Sequence, residues 1–329
     1  MRMSDIRFLG LCAFAAALVG LAGCGGGGGG GGSAAVTFPA LRTGTASPGA
    51  DITAQNADAL SADVVRSVLA ANRGGAAVPV AGAGPGAVAR VVALRAFAAA
   101  RREMPQAVQP LGPDDLPDCF GGQVSGSVND ADNNNRPTAG DSVTLVFNSC
   151  VLAPGTPGVS GSATTRFDQI ELEAGDELRA AALTMTLTNL GAAGQPVING
   201  TVNLWVRVEA SGDVHLLLRF NQVTAQMGGA THVIDWDMDI RISASTLDGA
   251  VTLSGQVSVG GQRYAVAQRV AFGASSSQGY PTQGTLRVSD AAGDRVDITA
   301  TVQGVGRTFG TSAGVETPLP TQPWSAFGG

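Results

Sequence analysis

The sequence predicts an α+β protein: two N-terminal helices followed by a large, twisted antiparallel β-sheet, closed or half-closed like a barrel. Three observations predict it. Apolar residues recur at helical spacing between residues 51 and 104, and from Gly121 onward they alternate with polar ones in runs bounded by turn signals. After the first two dozen residues no apolar run approaches the twenty needed to cross a membrane as a helix.

The N-terminus reads as a lipoprotein signal peptide over 1–23. Arg2 and Arg7 supply the positive start, and Phe8 to Val19 form an apolar run too short to span comfortably. Leu21-Ala22-Gly23-Cys24 then has the order a lipoprotein signal peptidase requires, one branched apolar residue and two small ones before the cysteine. Cys24 is the expected lipidation site, its sulfur receiving the diacylglyceryl group. Residue 25 is glycine, where an aspartate would favour retention at the inner membrane, so the expected location is the outer membrane, facing the periplasm. Residues 24–50 read as lipidated cysteine and linker. Gly25 to Gly32 has no side chain to pack, and a coil of that length reaches about 15 Å, at roughly 5–6 Å times the square root of its length.

In the helical segment, 51–104, Thr53 is placed to cap a helix carrying Ala57, Leu60, Val64 and Val68 on one face and ending at Gly74-Gly75. A second helix is expected from Ala87 to Arg102, with Val88, Val91, Leu94 and Ala98 inward. Its arginines 90, 95, 101 and 102 form a stripe, read as the solvent face of a packed helix in preference to a lipid-headgroup contact.

The β domain is expected over 105–329, with ten or eleven strands. Val202, Leu204, Val206 and Val208 alternate with Asn203, Arg207 and Glu209. Ile234, Trp236, Met238, Ile240 and Ile242 are likewise opposed by Asp235, Asp237, Asp239 and Arg241, so each strand has one dry and one wet face. The acidic row is expected to pair with arginines such as Arg219 across the ladder. A transmembrane barrel fits poorly, because the acidic face would have to line a pore and the lipid anchor would be redundant.

Composition narrows the function classes. All 20 basic residues are arginine, set against 26 acidic ones for a net charge of −6, which argues against nucleic acid as a partner. After Cys24 the remaining cysteines are Cys119 and Cys150, an even pair in an oxidising compartment, so a disulfide is expected. Between them lies the strongest local signal. Asp130, Asp132, Asn134, Thr138 and Asp141 place side-chain oxygens at positions 1, 3, 5, 9 and 12 of a twelve-residue loop, the spacing of a calcium loop. Asn135 stands where such loops carry a turn glycine, and Pro137 follows. Calcium as a weakly held structural ion is the expectation, with an ordinary polar hairpin loop as the alternative.

Other motifs carry little. His215 and His232 lack any catalytic or metal-ligand context and read as surface strand residues. Gly82-Ala-Gly84-Pro-Gly-Ala87 imitates a dinucleotide fingerprint, but the run before it is short and broken by Pro79. No Gly-x-Ser-x-Gly elbow occurs.

Several phrases together resemble uncharacterised β-rich lipoproteins of proteobacteria. They are Cys119-Phe-Gly-Gly, Gly140-Asp-Ser-Val-Thr-Leu-Val-Phe-Asn-Ser-Cys150, Gly279-Tyr-Pro-Thr-Gln-Gly284 and Pro323-Trp324-Ser325. Such proteins often carry a richer Asp-x-Asp-Gly-x-Gly loop before Gly-Asp, which this chain approximates. The resemblance spans roughly residues 50–329 and implies no activity. Three function classes follow: a non-catalytic envelope protein with a structural or interaction role, a carrier sheltering a lipid or other apolar ligand in a half-barrel, and, weakest, an enzyme.

Overall fold

The computed structural model describes residues 35–72, 109–110, 119–134, 137–151, 157–172, 178–192, 197–227, 230–246, 248–274 and 280–327. The signal peptide, Cys24, the second expected helix and the Gly82–Ala87 motif lie outside these residues.

Among the described residues one helix, α1 (Ala57–Asn72), precedes fourteen strands. Two strands open the series, β1 (Gln109–Pro110) and β2 (Gln123–Asn129). Then come β3 (Ser142–Cys150), β4 (Val159–Leu172), β5 (Leu178–Ala192) and β6 (Ile198–Val208). The middle comprises β7 (Val214–Met227), β8 (Ala230–Ile242), β9 (Gly249–Val259) and β10 (Gln262–Ala274). The last are β11 (Gln283–Ser289), β12 (Arg295–Thr301), β13 (Gly304–Gly310) and β14 (Glu316–Gln322), followed by a 3-10 turn, Trp324–Phe327.

Every strand pairs antiparallel with its neighbour in sequence, in one sheet ordered β1 to β14. This corrects the fold class expected above. Among the described residues the protein is a single antiparallel meander with one helix, and the sheet is not closed, since β1 and β14 end it without pairing to each other. The physical reason shows at the edges. β1 has two residues, and β14 carries Pro318 and Pro320, which lack the N–H that a central strand must donate. The fourteen strands among the described residues exceed the ten or eleven expected.

The alternation sorts the two faces as expected. On the dry face Val143, Thr165, Met185, Val202 and Phe220 follow one another across β3 to β7. Trp236, Gly255, Val266, Val288, Val296 and Phe309 continue across β8 to β13. All the apolar side chains of this row are buried. α1 packs on the dry face against β9, β12 and β13 and beside the 3-10 turn. Its four expected core residues, Ala57, Leu60, Val64 and Val68, are all buried. The cap is reciprocal: Thr53 Oγ1 accepts from Asn56 N at 3.3 Å, and Asn56 Oδ1 accepts from Thr53 N at 2.8 Å.

Bulges bend the sheet at regular places. Ser149, Asn189 and Gln222 adopt positive φ near +50°, each where the pairing register shifts. Gly161 and Gly200 face two of these bulges at φ +110° and +136°; a Cβ there would lie 2.2 Å from Asn189 O or 2.9 Å from Val223 Cα. An extra residue on one strand thus meets a missing side chain on the next, which increases local twist.

Candidate functional site

Among the described residues, chemistry-bearing side chains collect on the wet face of β5–β9 and in the connections between β2 and β3 and between β11 and β12.

Composition makes residues 35–50 a linker, yet they lie along the wet face as a strap. Val36 packs on Ala180 and Ala182, with Phe38 and Trp205 beside it. Phe38 stacks on His215, ring centroids 4.3 Å apart, and Arg207 lies 5.3 Å over the same ring. Arg42 then reaches the acidic row. Its Nε and Nη1 donate to Asp237 Oδ1 at 2.8 Å and Asp235 Oδ1 at 2.7 Å, and its backbone N–H to Asp237 Oδ2 at 2.8 Å. Arg42 Nη2 also donates to the carbonyls of Phe220 and Trp236, at 2.6 and 3.1 Å. Two residues on, Gly44 crosses Gly255 so closely that a Cβ would fall 1.5 Å from Gly255 O. Ser47 N bonds Arg263 O at 2.9 Å, and Ile52 N bonds Asp290 Oδ2 at 2.8 Å before α1 begins.

Asp237 is the centre of this network, with a fully buried side chain. Arg219 grips it as well, Nε to Oδ1 at 2.9 Å and Nη2 to Oδ2 at 2.7 Å. The expected cross-ladder pair is therefore present, and that bond raises the Arg219 guanidinium pKa further above its ordinary value, against the opposing pull of burial. Two arginines and two aspartates balance, so the acidic row has its positive charge within hydrogen-bond reach. The third aspartate, Asp239, meets His215 Nε2 at 2.8 Å. The strap's role had no local signal: Arg42 sits in a Thr/Ser/Gly/Pro-rich stretch whose composition resembles any linker.

In the β2–β3 connection the expected residues do meet. One oxygen from each of Asp130, Asp132 and Asp141 lies within 4.8 Å of the others. Thr138 Oγ1 donates to Asp132 Oδ2 at 3.0 Å or Asp141 Oδ2 at 3.1 Å, and Asn134 Nδ2 donates to Asp132 Oδ2 at 2.7 Å. Asp141 is fully buried and accepts the backbone N–H groups of Ala131 at 2.8 Å and Thr138 at 2.6 Å. Asn135 lies outside the described residues; among those described in the loop, Asn133 and Gly140 have positive φ, +54° and +104°.

A second trio, Asp51, Asp290 and Asp294, is grouped as tightly at the β11–β12 connection. There buried Asp290 Oδ1 accepts the N–H groups of Ala292 and Asp294, both at 2.9 Å. The two turns share a sequence pattern that motif reading missed. Val128-Asn-Asp130-Ala leads to Gly140-Asp141-Ser-Val143, and Val288-Ser-Asp290-Ala leads to Gly293-Asp294-Arg-Val296. A hard divalent cation suits three carboxylates. Carboxylates that accept backbone N–H groups across a loop equally close a hairpin, and the recurrence of the pattern in a second turn has that explanation.

Cys119 and Cys150 form a disulfide with Cα atoms 5.2 Å apart, within the normal range, tying the start of β2 to the end of β3. His215 is half-buried under Phe38, whereas His232 is buried on the dry face, so neither is a free surface residue. There Thr165 Oγ1, His232 Nδ1 and Trp236 Nε1 have no hydrogen-bond partner. No helix among the described residues is long and apolar enough to cross a membrane. No family model, curated protein or solved structure matches the chain.

Proposed function

We propose that the chain is a lipid-anchored envelope protein, held at the outer membrane through Cys24 and facing the periplasm, with a non-catalytic structural or interaction role. One observation carries the reading. The residues that follow the lipobox and glycine run are built into the sheet, through Val36, Phe38, Arg42 and Gly44. An anchor joined to a strap that is ion-paired to a buried aspartate fixes where the membrane holds the sheet. The test is a Cys24→Ala variant grown with a palmitate analogue. The wild type takes up label and fractionates with the outer membrane, and the variant does neither; label on the variant refutes the reading.

A second reading, carriage of an apolar ligand bearing a polar group, is supported by the unpartnered Thr165 hydroxyl and Trp236 indole N–H on the dry face. Leaving each buried and unbonded costs about 1–3 kcal/mol, which a ligand's polar group would recover. The cavity between α1 and β10–β13, lined by Val65, Val68, Phe272 and Trp324 among others, is about 20 Å³. That is little more than one water needs, so a ligand entering there would have to part α1 from the sheet. Native mass spectrometry of the mature protein decides: bound lipid identifies a carrier, and a bare mass leaves the structural reading.

A further inference from the structure

We propose that the wet face of β7 and β8 is a receptor built for the Arg42 side chain, through which the strap closes as a latch on the finished sheet. The strap docks after the strands beneath it have paired. The latch does not depend on the lipid anchor, since every contact it uses lies between residues 35–47 and the sheet.

The receptor is matched to a guanidinium. That group presents five N–H donors in a rigid fork, and on Arg42 each one has its acceptor. Nε meets Asp237 Oδ1, Nη1 meets Asp235 Oδ1 and Asn221 Oδ1, and Nη2 meets the carbonyls of Phe220 and Trp236, all within 3.4 Å. The two carbonyls stand where the β7–β8 pairing is interrupted, between Arg219 and Val223. A bulge takes backbone groups out of the ladder, and here it supplies two of the five acceptors. Without Arg42 the pocket would hold Asp235 and Asp237 against Arg219 alone, one negative charge in excess. Lysine restores the charge but brings three donors to five acceptors.

The latch reads the sheet because the strap touches every strand from β4 to β10. Val36 reaches Glu171 of β4, Ala180 of β5 and Arg207 of β6. Phe38 lies on His215 of β7, and Arg42 binds Asp237 of β8. Gly44 crosses Gly255 of β9, and Ser47 binds Arg263 of β10. These partners stand from 135 to 216 residues further along the chain. Among the described residues, Ser47 N to Arg263 O is the one backbone-to-backbone bond between the strap and a strand. The strands therefore complete their ladders without the strap, whereas the strap has no receptor until they stand side by side. Ordering it costs entropy at every residue, so a few contacts with a partial sheet do not hold it and the full set does.

The test is hydrogen-exchange pulse labelling while the full chain refolds with its disulfide intact. The N–H groups of Val36, Arg42 and Ser47, all bonded in the docked strap, are the reporters. They are expected to gain protection at least about threefold more slowly than those of β6–β9, as a unit that opens and closes by itself. Protection gained together with the strands, or before them, overturns the latch. Arg42→Lys tests the receptor in the native protein. It is expected to lower protection at residues 36–47 about tenfold and leave β6–β9 within about twofold of wild type. Strap protection unchanged by lysine overturns the receptor. An equal loss in the strands overturns the latch, since the strap then belongs to the sheet's own cooperative unit.

Discussion

At the scale of single residues, Asp237 concentrates more of the wet face than any neighbour, because Arg42 and Arg219 both depend on it. Asp237→Ala leaves two guanidinium groups facing each other without their shared anion. With those groups about a quarter exposed, the expected loss is about 3 kcal/mol, the lower end for a broken buried pair. Arg42→Ala should cost less, about 1.5–3 kcal/mol, because Arg219 still satisfies Asp237. It should also free the strap, measured as faster amide exchange at residues 36–47 with the sheet still protected. Tyr264 gives a pH prediction. Burial, and then the nearby charges of Asp290 and Asp51, raise its pKa above the ordinary phenol value. A raised pKa means stability is full below the unfolded value, about 10, and falls as pH rises through the folded one. Thermal melts above about pH 10 should therefore show a loss that Tyr264→Phe reduces. The aspartate row was legible from alternation alone, but its partner Arg42 was not, since it lies 193 and 195 residues away from Asp235 and Asp237.

At the scale of elements, glycines placed opposite bulges or crossings do what side chains cannot. Gly255 shows this most sharply. It has φ +144°, Trp236 Cα 2.5 Å from where a Cβ would stand, and Gly44 crossing at its carbonyl. Gly314 provides the control, with φ +86° and nothing within 4 Å of the added atom. Gly314→Ala carries conformational strain alone, about 1 kcal/mol. Gly255→Ala adds a backbone clash and should lose about 2–4 kcal/mol, the range of severe single substitutions. Chemical denaturation of both variants decides, and equal losses would mean the crossing is not tight. Of the elements themselves, α1 and the strand alternation were readable because periodicity reports one face meeting a core. The strap was not, since it has no periodicity and its contacts are with a surface assembled from strands far along the chain.

At the scale of the molecule, neighbour-to-neighbour pairing means each hairpin depends on the next, and the disulfide sits near one margin of that series, joining β2 to β3. A separation of 31 residues gives about 3.5–4 kcal/mol in the chain-entropy model. Replacing both cysteines by alanine should lower the melting temperature by roughly ten degrees, at about 2–4 °C per kcal/mol for a large domain. A scanning calorimetry trace of the unreduced double variant that overlays the wild type would refute this. Taken by itself, the sequence determined which residues face a core, where α1 starts, the two-faced character of the strands and the pairing of Cys119 with Cys150. All of these follow from local spacing, hydropathy and composition. Only the tertiary structure decided that the sheet stays open and that residues 35–50 lie bound across it. It alone placed Asp237 between two arginines. Closure depends on how the first and last strands meet, and burial of a charge depends on which distant residue arrives beside it. Neither quantity is a function of neighbouring residues, so periodicity and turn chemistry carry no record of them.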